Sequence, residues 1–236
     1  MISFCCIIAS FTAPLAFFSK DYHQFFKELN KNNHKDWFDE NRKRYEKEIK
    51  EPFKKFVGHL IKKVHEIDPG VNIEPKDAIM RINRDIRFSK DKTPYKTHVP
   101  AVISAGGRKN MGIPGQFFSL GLNGLEIYGG LYQPNKEMLY NIRQHISYNL
   151  DEFEKILKDP KFMKMFGEIK GEKNKIIPAE FKEDAEKQPL IYYKSFYYHT
   201  TFGPEVITKD NLDEIWMECF MTGKKLNDFL YEGSRG

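Results

Sequence analysis

Apolar positions recur at three- and four-residue spacing through both ends of the chain and switch to alternation in its middle, which predicts helices flanking a sheet. Ser19 sets an N-cap ahead of Asp21 and the stripe Tyr22, Phe25, Phe26 and Leu29, predicting a short helix that ends at Asn30. A second helix is predicted from about Asn33, with Asp36 in its first turn and Trp37, Phe38, Tyr45 and Ile49 on one side. Pro52 lacks an N–H and clashes with the turn before it, so the pattern kinks or restarts there. The third segment carries Phe53, Phe56, Val57, Leu60, Ile61 and Val64 and stops at the turn Asp68-Pro69-Gly70.

From Ala78 the period changes. Ala78, Met80 and Ile82 alternate with Ile79 and Arg81, predicting a strand that runs into a loop. Thr93 precedes a proline and is pushed toward extended backbone, and a second strand is predicted from Val99 to Ser104. Half of the sixteen glycines fall between Gly106 and Gly130. Among them Asn123-Gly124 separates two alternating runs, 116–122 and 125–131, and predicts a type I′ hairpin. That turn pairs Leu122 with Leu125 and Leu120 with Ile127, leaving Ser119, Gly121, Glu126, Tyr128 and Gly130 on the opposite face.

Asn135 caps a helix with Met138, Leu139, Ile142 and Ile146 on its buried side, and another with Leu150, Phe153, Ile156 and Leu157 stops near Pro160. Phe162 to Phe166 adds a short turn closed by Gly167, and residues 168–189 read as a charged, irregular surface connection. Tyr192 to Phe202 predicts a strand, with Tyr193, Ser195, Tyr197 and His199 opposite Tyr192, Lys194, Phe196 and Tyr198. Thr208 caps a last helix with the stripe Leu212, Ile215, Trp216, Cys219, Phe220, Leu226, Phe229 and Leu230, weakened at Gly223. Helices at both ends around a central, largely antiparallel sheet make an α+β fold, read as one globular domain over 17–232 behind an apolar extension at 1–16.

At 236 residues, 40% hydrophobic and 14% aromatic, the chain can bury a substantial core. Cys5, Cys6 and Cys219 are too few for a disulfide framework or a four-ligand zinc site, which favours a reducing, cytoplasmic interior. Residues 1–18 contain no charged side chain. They lack the basic start of a secretory signal and are interrupted by Ser3, Ser10, Thr12 and Pro14, so export or anchoring is the minority alternative and no membrane span is expected.

Charge singles out one stretch. Residues 81–109 carry net +6, while the other 207 residues sum to −1. Within it, Arg81-Ile-Asn-Arg84-Asp85-Ile-Arg87-Phe88-Ser89-Lys90-Asp91-Lys92-Thr-Pro94-Tyr95-Lys96 mixes six basic residues with two acids and two aromatic rings. Together with Asn32-Asn33-His-Lys-Asp36-Trp37-Phe38, Tyr45, Pro52, Gly129-Gly130-Leu-Tyr132-Gln-Pro134 and Ile142-Arg143, this stretch resembles the family called domain of unknown function 2461, over about residues 17–232. The segment from Ile169 to Gln188 follows that pattern only loosely. The resemblance implies a single domain whose signature centres on the basic stretch, and it carries no activity, cofactor or catalytic residue with it.

The residues themselves point to an anion. Arg81, Arg84, Arg87, Lys92 and Lys96 can hold a phosphate or carboxylate, since a guanidinium presents a planar fork and lysine a point charge, with Ser89 and Tyr95 as further donors. Asp85 and Asp91 supply the structural alternative, in which the arginines tie a loop by ion pairs. Asn110, Gly112, Gly106 and Gly107 can aim backbone N–H groups at the same anion, with plain turns the favoured reading. Asp85, Asp91, Glu126, Tyr95, His98 and Ser89 are the nearby acid–base candidates, without diagnostic spacing. The seven histidines match no metal-ligand motif, although strand placement lets His98 and His199 meet across the sheet. Tyr192, Tyr193, Tyr197 and Tyr198 read as packing before they read as a base-stacking platform. Asn32, Asn33, Asp36 and Trp37 read as a helix cap with a buried ring.

Three functions therefore stay open: a binding or catalytic domain for a small anionic ligand at the arginine-rich loop 81–96, a nucleic-acid or protein interaction module using the same patch, and an ion-pair network that only holds the fold. A small anionic ligand is the first choice of partner and nucleic acid the second. Cofactor, substrate and reaction are not specified by the sequence.

Overall fold

In a computed structural model, which describes residues 16–110 and 112–236, the N-terminal region forms α1 (Lys20–Lys31), α2 (Lys35–Glu40), a single turn α3 (Arg42–Arg44), a π-helical stretch Tyr45–Lys50 and α4 (Glu51–Ile67). The expectations for the apolar extension and for Cys5 and Cys6 concern residues outside those described. Pro52 sits in the first turn of α4, directly after the π-helical stretch, and Lys50 and Glu51 keep helical backbone, so the chain runs on as helix across the proline. Ser19 stands at the N-cap of α1, but its hydroxyl donates to Glu48 Oε2 at 3.0 Å instead of capping.

The sheet is antiparallel, with β1 (His98–Ile103), β2 (Gly115–Gly121), β3 (Gly124–Leu131) and β4 (Phe196–Phe202) in sequential order. Between the two regions lies a four-residue helix α5 (Pro75–Ala78), closed by a capping box of Glu74 and Asp77. The remaining helices are α6 (Lys136–Tyr148), α7 (Leu150–Leu157), α8 (Pro160–Phe166), α9 (Lys182–Lys187) and α10 (Leu212–Arg235). The fold is α+β with helices at both ends of the chain, as the pattern predicts.

One face of the sheet carries the core. Phe118 meets Phe53 and Phe56 of α4 at 5.8 and 6.1 Å and Trp216 of α10 at 5.4 Å. Tyr22 of α1 is fully buried and donates to the Leu120 carbonyl at 3.2 Å. Each such ring removes enough apolar surface from water to stabilise the fold by about 1.5–3 kcal/mol, so this layer fixes which side of the sheet turns inward. The opposite face keeps the half-buried row Phe117, Tyr128 and His199 across β2, β3 and β4, with ring centroids 5.9 Å apart edge-to-face and then 5.6 Å apart and tilted.

Several local expectations are corrected. The predicted strand from Ala78 is helix α5 followed by isolated pairings, Ile79 with Ala101 and Asn83 with Tyr95, because Pro75 and the capping box hold a helical turn through Ala78. In the hairpin Leu120 pairs with Leu125 and Gly121 with Gly124, so the turn residues are Leu122 and Asn123. Among the two expected turn residues only Gly124 has positive φ, +99°, whereas a type I′ turn needs it at both. The register differs by two residues, an even slip, so every side chain keeps its predicted face.

The last strand begins at Phe196, because Pro189–Tyr192 winds into a 3-10 turn. The segment read as a surface connection instead extends the sheet edge. Lys170 exchanges backbone bonds with Tyr197 at 2.7 and 3.0 Å, and Ile169, Ile177, Phe181 and Ala185 are buried. The last helix starts at Leu212 with Asn211 at its N-cap, not at Thr208, because residues 204–210 turn first through a 3-10 stretch. His98 and His199 lie on the two outer strands of the sheet and do not meet.

Candidate functional site

The basic stretch is a closed loop standing on the helical layer. Lys96 donates its backbone N–H to Ile82 at 2.8 Å and Arg84 donates to Pro94 at 2.9 Å, so 82–84 and 94–96 clasp the base of the loop between them. Tyr95 anchors it: the ring is buried and stacked on Phe38 at 4.0 Å. The Asn33 side chain holds both backbone groups of Tyr95, donating to its carbonyl at 2.9 Å and accepting from its N–H at 3.1 Å. Asn33 is thus a brace across 62 positions of sequence rather than a cap. The cap of α2 is His34, which accepts from Trp37 N–H at 3.4 Å.

Arg84 and Arg87 are each paired with an aspartate of their own loop. The Arg84 guanidinium binds the Asp91 carboxylate and the Thr93 hydroxyl, and donates to Ser89 Oγ at 3.5 Å. The Thr93 N–H, then Arg84 and the Thr93 hydroxyl, hold the Asp91 carboxyl down at about 2. Arg87 clasps Asp85 through two bonds of 2.9 and 2.7 Å and lies over the ring of Phe88 at 5.8 Å. Lys92 reaches the Ile86 carbonyl at 2.9 Å. Four of the seven predicted ligand residues, Arg84, Arg87, Ser89 and Lys92, are therefore engaged within the loop, and Tyr95 is engaged in packing.

Arg81 and Lys96 behave differently. They meet Arg108 and Lys109 around an open cleft of about 410 Å³ whose remaining lining residue is Met80. Lys96 donates its ammonium to the Arg81 carbonyl at 3.0 Å, and Arg108 donates Nε to the Lys76 carbonyl at 3.1 Å. These are bonds to neutral oxygens. None of the four cations forms an ion pair among the described residues, in contrast to Arg84 and Arg87. Burial, and then the neighbouring Arg81 charge, lower the Lys96 pKa.

Arg108 and Lys109 belong to the same net-positive segment in sequence, but nothing in the local pattern tells that the chain returns them to Arg81. The return is made by the turn Gly106–Lys109. Gly107 has φ +52°, and a Cβ there would come within 2.7 Å of the Asp77 carbonyl, so only glycine lets this turn rest on α5. Its amides close the turn itself: Gly107 N–H bonds Ser104 at 3.0 Å, Asn110 N–H bonds Gly106 at 3.2 Å, and Gly112 N–H bonds Asn110 Oδ1 at 3.2 Å. The turn reading of these glycines accounts for them.

The acid–base candidates do not assemble with the cleft. Glu126 accepts from Ser119 Oγ at 2.9 Å on the open face of the sheet. Burial lowers the pKa of His98, with Glu126 opposing and Lys96 reinforcing the shift. Tyr198 is fully buried, whereas Tyr197 stays half-exposed on the open face. Among the described residues no three His, Cys, Asp or Glu side chains converge to hold a metal ion, and no helix is long and apolar enough to cross a membrane.

A sequential antiparallel sheet with helices against one face, and a basic loop clasped at its β1 side, defines an α+β domain of a recognisable kind. The chain belongs to the family described as conserved hypothetical protein (DUF2461), which matches residues 21–229. It matches no curated protein and no solved structure.

Proposed function

We propose that the protein binds a small molecule bearing a phosphate or carboxylate in the cleft of Arg81, Lys96, Arg108 and Lys109. One observation carries this reading: four cations line one cleft without a carboxylate among them, on a chain whose neighbouring loop arginines are paired. Two guanidinium forks with two ammonium groups suit an oxyanion. The lining offers cations and Met80 only, which supports binding and charge stabilisation rather than proton transfer. The reading expects a cytoplasmic protein, which the free, buried Cys219 suits.

Calorimetric titration with inorganic phosphate and with citrate tests it. Saturable binding that weakens with salt, and falls at least about tenfold in an Arg81→Gln/Lys96→Gln double variant of unchanged melting temperature, is the expected result. Absence of saturable binding, or equal affinity in the double variant, overturns it.

A second reading has its own observation. Phe88 is 96% exposed beside Arg87 at the loop tip, a basic–aromatic pair that nucleic-acid bases or a protein partner could cover. Retention of DNA or RNA in electrophoretic titration at low salt, removed by Phe88→Ala, would favour it. No retention at micromolar protein rules out its nucleic-acid form.

A further inference from the structure

A second place in the fold holds a cation without a carboxylate partner among the described residues, and there the cation is buried. Arg143 of α6 is only 5% exposed. Its Nε donates to the Ile191 carbonyl at 2.8 Å and its Nη2 to the Tyr193 carbonyl at 3.4 Å. Both partners are neutral, no ion pair reaches it among the described residues, and burial alone lowers its pKa. A buried guanidinium normally has a carboxylate beside it, because desolvating a lone charge is costly. Its fork of five donors also exceeds what two carbonyls use.

Arg143 lines a pocket of about 510 Å³ together with Lys136, Lys194, Asn174 and the segment Tyr132-Gln133-Pro134. Lys194 is matched at the rim by Glu172 at 3.4 Å, which leaves the charge of Arg143 unbalanced inside. Gln133 is the one non-glycine residue with positive φ among those described, +51°. Its N–H is held by Ser195 Oγ at 3.0 Å, and its amide donates to the Tyr132 hydroxyl at 3.3 Å. Backbone strain of this kind gathers where a site is built, and here it sets the wall of the pocket.

Tyr132 and Tyr197, an edge-to-face pair at 5.9 Å, form the wall shared with a second pocket of about 380 Å³. That pocket lies on the open face of the sheet and is lined by Val102, Ile113, Phe117 and Tyr128. An apolar aromatic floor therefore adjoins a chamber whose one buried cation, Arg143, has no carboxylate, while Lys136 stands exposed at the rim.

From this juxtaposition we infer a second ligand site, for a small planar apolar carboxylic acid whose ring lies between Tyr132 and the sheet face and whose carboxylate meets the fork of Arg143. The single negative charge is what selects a carboxylate over a phosphate monoester, since one buried cation neutralises one anion and leaves a second charge desolvated. The combined pocket volume falls in the range of small-molecule sites, which are mostly apolar with a few placed polar groups.

The test is calorimetric titration of the full chain with 2-naphthoate, 2-naphthalenemethanol and 2-naphthyl phosphate. Naphthoate is expected to bind saturably, at least about tenfold more tightly than either the neutral alcohol or the phosphate ester. Arg143→Met leaves two carbonyls without donors and can lose the fold, so Tyr132→Ala, which removes a ring 59% exposed, is the informative variant and is expected to weaken naphthoate at least about fivefold. The Arg81→Gln/Lys96→Gln variant is expected to leave naphthoate unaffected, which separates this site from the basic cleft. Absent binding, equal affinity for acid and alcohol, tighter binding of the phosphate ester, indifference to Tyr132→Ala, or loss in the Arg81/Lys96 variant each overturns the inference.

Discussion

The Tyr198 hydroxyl occupies the place where a side chain on Gly223 would begin: a Cβ built on Gly223 lies 1.8 Å from that oxygen. Gly129 on β3 makes room in the same way, its Cβ position falling 2.1 Å from the same hydroxyl. Between the two glycines the fully buried phenol donates to Asn227 Oδ1 at 3.3 Å, which also accepts the Gly130 N–H at 2.8 Å. The glycine that reads in sequence as a weak point of α10 is therefore where the helix closes on the sheet.

Gly223→Ala consequently destabilises the protein. In an exposed helix the same change adds about 1 kcal/mol of stability by propensity. Here the new methyl meets a rigid ring held on both sides, and overpacking of this kind costs about 1–3 kcal/mol net. Urea denaturation decides it, and a variant as stable as the parent would show that Tyr198 moves aside freely. Tyr198→Phe, which removes one buried hydrogen bond and leaves Gly130 satisfied, is expected to cost only about 1 kcal/mol.

Asn33→Ala is expected to cost about 1–3 kcal/mol, because it leaves the N–H and the carbonyl of buried Tyr95 without their partner. The effect should be local in hydrogen exchange, with faster exchange around Ile82–Arg84 and Pro94–Lys96, the base of the basic loop. Since Arg81 and Lys96 flank that clasp, phosphate binding should weaken alongside. Loss of stability with unchanged exchange in this loop would show that Asn33 acts on the α1–α2 connection and not on the site.

How much of this was legible beforehand depends on whether the cause was local. The stripes of α1, α4 and α10, the Asn135 cap of α6 and the strands of the hairpin follow from periodicity and short-range chemistry, and they stand where the pattern puts them. The hairpin register does not follow from the Asn-Gly pair: Gly124 lies within β3, opposite Gly121 and against Phe202 of β4, where a Cβ would fall 2.1 Å from the carbonyl. The same holds at the site. Positive charge over 81–109 marks the region, but only the fold shows that Arg84 and Arg87 turn to Asp91 and Asp85 while Arg81 and Lys96 turn to Arg108 and Lys109. Arg143 carries no sequence signal beyond its membership of the Ile142-Arg143 element, since a lone arginine in a helix reads as solvated.

Acid should loosen the loop through Asp91. Its folded-state pKa of about 2 lies below the ordinary 3.8, so between these values the unfolded chain binds the proton more readily than the folded one. The stabilisation is thus fully present above the ordinary value and is lost as pH falls toward about 2. Asp91→Asn cannot titrate, and its melting temperature should fall less steeply across that window than that of the parent. Parallel melting curves against pH in the two proteins would mean that the Arg84–Asp91–Thr93 contacts do not persist in solution.

Lys96 gives the anion site a pH signature of the opposite sense. Burial and then Arg81 lower its pKa, so in the free protein it loses its charge at a lower pH than an ordinary lysine. A bound anion favours the charged form and raises that pKa again, which by linkage makes affinity fall as pH rises through the free protein's value. On the alkaline side of phosphate's second ionisation the ligand charge is constant, so a decline there reports on the protein. Lys96→Arg places a group at the cleft that stays charged throughout, and it should hold its phosphate affinity over the range in which the parent loses it. If both proteins lose affinity together, the decline arises elsewhere than Lys96, and the ammonium of Lys96 contributes no charge to the bound anion.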